Sequence, residues 1–343
     1  MPDIFMRRLF NLLKKKEKFI KPTSAEGQKL HQLLLSDNEQ NVRLAFYIMK
    51  GQGVPDQLLS LLQNRYKELC FETGLMAPLY KLKRLYFSNN DLDEIPSEIA
   101  ELNNLKGLYA ENNDLTSLPE EIIRLKKLKV LWLHWNYLES LPENIGRMKG
   151  LRELWLGYNQ IKALPRSIGK LKNLQELYLE HNKLEELPSE ITHLRKLKIL
   201  RLNNNRIRQL PEQWQNLKQL VHLTLNHNQL CQLPSTVGNI PHLQTLQINH
   251  NQLTTLPHNI ANLQKLVRLD GQNNNLTTLP EEVGQLINLR TANLSNNAIQ
   301  EIPESIRGCK RLRELYLYNN PLLDKIKHQL KNWLPNTYIH FSV

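Results

Sequence analysis

Leu151-Arg152-Glu153-Leu154-Trp155-Leu156-Gly157-Tyr158-Asn159-Gln160-Ile161, followed by Leu164-Pro165 and Ile168-Gly169, is the stretch that decides the fold. The pattern LxxLxLxxNxL, then LPxxIGxL, returns along most of the chain. Asparagine recurs in steps of 23 residues from Asn90 to Asn320, proline from Pro96 to Pro303 and leucine from Leu82 to Leu312, without insertions. Leu151, Leu154 and Leu156 put apolar groups on one side of a short strand, and alternation turns Glu153 and Trp155 to the other. One copy cannot bury its apolar face alone, so the copies must stack into a parallel sheet with a continuous core. The recurring asparagine stands where the chain leaves the strand. Its amide donates and accepts, so a column of them can satisfy turn backbone that would otherwise be buried unpaired. Proline at the next corner suits a first helical position. Ile168 and Leu171 have the spacing of a short helix or 3-10 turn on the outer side.

On these residues the chain resembles the leucine-rich repeat superfamily over residues 79–322, and the LPxxIGxL variant resembles its intracellular Ras-group, or Ras-suppressor-like, repeats. The resemblance implies an α/β solenoid: a horseshoe with a concave parallel β-sheet, short turns on the convex side and a protein-binding role. It also raises small GTPases and phosphatase-type proteins as partners, by analogy only. Ala292 and Gly271 replace inward leucines, so looser packing is expected between residues 269 and 294. Trp214 replaces an outer isoleucine and Cys309 an outer leucine.

Terminal repeats need caps. Residues 323–343 read as a C-terminal cap: an amphipathic helix from Leu323 to Leu334, with Leu323, Ile326, Leu330 and Trp333 on one side, then a last strand at Tyr338–Phe341. Residues 23–78 carry no repeat and read as a helical head of about three helices. Thr23-x-x-Glu26 and Ser36-x-x-Glu39 look like capping boxes. Gly51 and Gly53 close the second helix and Pro55 opens a third. The head is a cap or a second docking module. Residues 1–22 form a basic segment with an apolar side given by Ile4, Phe5, Leu9, Leu12 and Leu13. It either packs as a basic helix or lies on an anionic membrane surface. Arg7 and Arg8 argue against a signal peptide.

The 343 residues carry 45 basic and 33 acidic side chains, a formal +12. Mean hydropathy is −0.49 and no apolar run is long enough to span a membrane. Cys70, Cys231 and Cys309 form no paired framework, which with the absence of cysteine-rich caps points to a reducing, cytoplasmic setting. No P-loop, HExxH, GxSxG or kinase signature occurs, so no catalytic residue, metal or cofactor is expected. His227 and His250 share one repeat position in adjacent copies; they read as exposed polar residues, or as a metal pair lacking a third ligand.

The outward position between the second and third leucines reads Tyr86, Tyr109, Trp132, Trp155, Tyr178, Arg201, Thr224, Gln247, Asp270, Asn293 and Tyr316. Its first five copies are aromatic, in a chain with only 7% aromatics. Trp135, Tyr158, His134, His181 and Tyr318 lie nearby. Either strands simply favour stacked rings, or the rings form a binding platform. The candidate partner-binding residues are Tyr86, Tyr109, Trp132, Trp135, Trp155, Tyr158, Tyr178 and Arg201. Along the face Glu111, Glu153, Glu176, Glu180, Asp270 and Glu314 outnumber Arg84, Arg201 and Arg268, which argues against nucleic acid. The surplus positive charge lies at the strand-entry edge, from Lys106 to Lys218. Three readings follow: a non-enzymatic scaffold or regulator that holds a protein or peptide on the aromatic face; a membrane-surface scaffold using residues 1–22 and the basic edge; and a glycan-binding solenoid. Oligomeric state is not legible.

Overall fold

The computed structural model describes residues 24–341. One twelve-stranded parallel sheet runs in chain order. Its strands include β1 (Arg84–Tyr86), β2 (Gly107–Tyr109), β3 (Val130–Trp132), β4 (Glu153–Trp155), β5 (Glu176–Tyr178) and β6 (Ile199–Arg201). Next come β7 (His222–Thr224), β8 (Thr245–Gln247), β9 (Arg268–Asp270), β10 (Thr291–Asn293), β11 (Glu314–Tyr316) and β12 (Tyr338–His340). Leu131, Leu154 and Leu177 pair side by side, so the repeat step is the sheet register. The middle residue of each repeat strand is buried, and the flanking residues mostly look out on the concave side. Short 3-10 turns such as Arg166–Lys170 line the outer side, with Ile168 buried beneath.

The asparagine column binds successive copies together. Asn159 Oδ1 accepts from the Leu138 amide at 2.9 Å. Its Nδ2 donates to the carbonyls of Leu133 in the preceding copy (2.9 Å) and Leu156 in its own (3.0 Å). The Leu133 carbonyl also accepts from Asn136, so each turn carbonyl is shared by two asparagines. The same arrangement recurs at Asn182, Asn205, Asn228, Asn251 and Asn274.

Proline sits one place earlier than a first helical position. Pro165 is extended, at φ −66° and ψ 143°, and its carbonyl accepts from the Ile168 amide as the 3-10 turn begins. Trp214 is fully buried, and its indole N–H donates to the Pro211 carbonyl at 2.6 Å. That bond removes the polar cost of a tryptophan at an isoleucine position.

The head has four helices rather than three: α1 (Ala25–Leu34), α2 (Glu39–Gln52), α3 (Asp56–Arg65) and α4 (Lys67–Glu72). Ser24 caps α1 by accepting from the Gly27 amide, and Asn38, not Ser36, caps α2 by accepting from Gln40. Thr23 and residues 1–22 lie outside the described residues. Gly51 lies within α2, and Gly53, at φ 93°, closes it. Tyr66 anchors the head through its hydroxyl, which donates to the Leu34 carbonyl. Phe71 meets Phe87 of the first repeat at 4.2 Å, which joins the head core to the repeat core. At the other end α5 (Asp324–Trp333) buries Ile326 and Leu330, and β12 extends the sheet. Leu323 does not join that face: it precedes the helix and is exposed.

Between β9 and β10 the inner layer is thin. Ala292 and Gly271 are buried, and a Cβ on Gly271 would meet nothing closer than Leu294 Cδ2 at 3.5 Å. A Cβ on Gly284, on the convex side, would lie 1.9 Å from the Ser305 carbonyl oxygen.

Two outcomes are expected in urea unfolding. Asn159→Ala strands the Leu138 amide and lowers stability by about 1–3 kcal/mol; a loss of only a few tenths would contradict the ladder's role. Gly271→Ala fills space and restricts the unfolded chain, raising stability by about 0.5–1 kcal/mol, whereas Gly284→Ala lowers it; equal effects would contradict the packing difference.

Candidate functional site

The sheet register brings one side chain from each strand into a single file on the concave face. Tyr86 stacks on Tyr109 with ring centres 4.6 Å apart. Tyr109 meets Trp132 edge to face at 4.9 Å, and Trp132 stacks on Trp155 at 4.2 Å and 11°. Trp155 leans on Tyr178 at 4.6 Å, and the Arg201 guanidinium closes the file 4.9 Å above the Tyr178 ring. Six of the eight candidate residues therefore form one continuous column, from β1 to β6. Its ring faces are largely spent on one another. The edge-to-face contact of Tyr109 with Trp132 divides the file into two near-parallel pairs, and edge-to-face contact sets the positive edge of one quadrupole against the negative face of the next.

Polar groups accompany the column. Trp132 donates its indole N–H to Glu153 Oε2 at 3.3 Å. Trp155 Nε1, His134 Nδ1, Glu111 Oε2 and Glu180 Oε2 are buried atoms with no hydrogen-bond partner. His134 touches both Trp132 and Trp155. Its burial lowers its pKa, against an opposing pull from Glu111. Glu180 folds over the space that Gly157 leaves empty, its Cδ 3.0 Å from where a Cβ would stand. Burial raises its pKa, against the weaker opposing effects of its own backbone amide and then of Arg201. The column thus has a floor of incompletely bonded polar atoms in partly desolvated surroundings.

Trp135 and Tyr158 do not belong to this face. They lie at the turn after the strand, with φ 58° and 57°. Residues 89, 112, 135, 158, 181, 204, 227, 250, 273, 296 and 319 all take this left-handed backbone; nine of these positions hold asparagine or histidine. Asparagine before the ladder asparagine was the sequence signal, since asparagine and histidine are enriched in that region. These side chains make a second file. Trp135 stacks on Tyr158 at 3.7 Å, Tyr158 on His181 at 4.0 Å, and Asn204 Nδ2 lies 3.1 Å from His181 Nε2. His227 and His250 stack at 4.0 Å in the same file. Among the described residues no group of three or more histidine, cysteine or acidic side chains is placed to hold a metal. Cys309 is buried, which pushes its thiol up to about 11, and Cys231 is exposed; neither is paired.

The repeats have known counterparts. The leucine-rich repeat region model matches residues 58–160 and 151–225, and two leucine-rich repeat models match 272–322 and 242–263. No curated protein gives a significant sequence match. Among solved structures, a leucine-rich repeat protein of Leptospira interrogans is 34% identical, with a TM-score of 0.54, over 78% of this chain and 80% of that one. The plant peptide hormone receptor RGFR1, solved in complex with RGF2, is 29% identical, with a TM-score of 0.62, over 79% of this chain and 49% of that one. InlJ of Listeria monocytogenes shares the fold at 22% identity and a TM-score of 0.64, over 77% of this chain and 54% of that one. By its repeats and by the leptospiral relative, this chain belongs to the leucine-rich repeat superfamily.

Proposed function

We propose that the chain is a non-enzymatic scaffold or regulator that holds a protein or peptide on its concave face, along the column from Tyr86 to Arg201. The observation that carries this reading is the coincidence of six stacked side chains with buried polar atoms that lack partners. A stack of rings is rigid, so little side-chain entropy is lost when a partner covers it. The orphaned donor and acceptors gain bonds when side-chain rotation admits a partner's polar groups. The complex of RGFR1 with RGF2 supports a peptide-type partner. A glycan fits this face less well, because sugar stacking uses ring faces and neighbouring rings already cover several of them. The proposal sets the docking in the cytoplasm, which the three unpaired thiols support. Small GTPases and phosphatases are the partners to assay first, on the resemblance to Ras-suppressor-like repeats.

A second reading rests on the strand-entry edge. Lys126, Lys127, Lys129, Lys149, Arg152 and Lys172 are exposed there, and none forms an ion pair among the described residues. Burial, and then the charge of Arg195, lower the Lys172 pKa. An uncompensated cationic edge suits peripheral contact with an anionic membrane.

Partners captured from native lysate should bind the Trp132→Ala/Trp155→Ala variant more weakly by about 2 kcal/mol or more, with circular dichroism unchanged; undiminished affinity would remove the concave-face reading. For the edge, sedimentation with phosphatidylserine vesicles should fall when Lys126, Lys127 and Lys129 become glutamate. Sedimentation that is absent, or indifferent to those changes, would remove the membrane reading.

A further inference from the structure

Beside the turn file runs a groove of about 440 Å³ that the concave column does not reach. This volume lies within the usual small-ligand range of roughly 300–1,000 Å³. The groove is lined by Asn112, Trp135 and Tyr158 of the turn file, by Asp91, Asp114 and Tyr137, and by ladder asparagines. One face of Trp135 is covered by Tyr158 at 3.7 Å. The opposite face looks toward the preceding copy, where the Asn112 side chain donates to Asn89 Oδ1. Among the described residues no ring or cation covers that face, and Trp135 is 52% exposed. Tryptophan is also a disfavoured residue here: a left-handed backbone crowds an ordinary Cβ, and the copies on either end of the file use asparagine instead.

The charge of the groove identifies what it suits. Asp91 and Asp114 hold the same position in successive copies, so the strand step sets them roughly 5 Å apart. Both are exposed, and among the described residues neither forms an ion pair and no lysine, arginine or histidine lines the groove. An open indole face beside two unneutralised carboxylates matches a planar cation. The guanidinium stacks on an aromatic face and forks to carboxylates, which an ammonium cannot do.

We propose that this groove is a binding site for an arginine side chain of the protein or peptide partner, with the guanidinium on the free face of Trp135 and its N–H groups donating to Asp91 and Asp114. This inference rests on the reading that the partner is a protein or peptide, but not on the concave column.

The test uses the full chain, 15N-labelled, with the indole N–H signals of its five tryptophans followed by NMR. Trp135→Asn, which installs the residue that neighbouring copies carry, assigns the Trp135 signal without an unfavourable backbone. N-acetyl-arginine amide should shift that signal saturably and about tenfold more tightly than the neutral N-acetyl-citrulline amide. N-acetyl-lysine amide should bind several-fold more weakly than arginine. The response should fall in Asp91→Asn and Asp114→Asn, and persist in Trp132→Ala/Trp155→Ala. The last result separates this groove from the concave-face reading: loss of partner affinity in the double variant with no arginine response would overturn the groove alone. A silent Trp135, equal responses to arginine and citrulline or to arginine and lysine, or a response only to maltopentaose would each overturn the assignment.

Discussion

The structure depends on one hydrogen-bonding constraint. A chain that turns every 23 residues must bury backbone groups at each turn, and each of them needs a hydrogen-bond partner. One asparagine per copy meets that demand by reaching back into the preceding copy as well as its own. The amide thereby couples each unit to its neighbour, and leucine packing adds the apolar driving force along the same axis. The concave face inherits its order from this. Side chains at one repeat position are held one strand step apart, close enough for ring-on-ring contact.

That inheritance explains why two files of rings exist and why they differ. On the sheet, strand backbone accepts aromatics without strain, so five successive copies carry them. At the turn, the residue before the ladder asparagine takes the left-handed region in every copy. Most copies answer with asparagine or histidine. Trp135 and Tyr158 are the departures, and they are where an open indole face meets carboxylates.

The repeat period, the inward leucines, the outward column and the C-terminal helix and strand were legible because each is a matter of spacing. What spacing does not record is how side chains use one another. The aromatic run from Tyr86 to Tyr178 was plain in the sequence, and ring stacking was one of its two readings, but not that Tyr109 would meet Trp132 edge to face in the middle of the file. Trp135 and Tyr158 are near the column in sequence, yet the left-handed turn carries them off the sheet. The head shows a related limit. Ser24 and Asn38 cap α1 and α2 where Thr23 and Ser36 fit the capping pattern, because several adjacent polar residues can each satisfy a helix start. The break at Tyr66 that divides α3 from α4 has no proline or glycine to announce it.

Gly271 and Ala292 leave the inner layer thin between the ninth and tenth strands. In a solenoid where every copy leans only on its neighbours, the two repeats that meet here share less apolar contact than a pair of inward leucines would give them. The pairing of Thr291 with Arg268 and of Asn293 with Asp270 is unbroken, so the backbone ladder carries a larger share of the join at this point than elsewhere in the sheet.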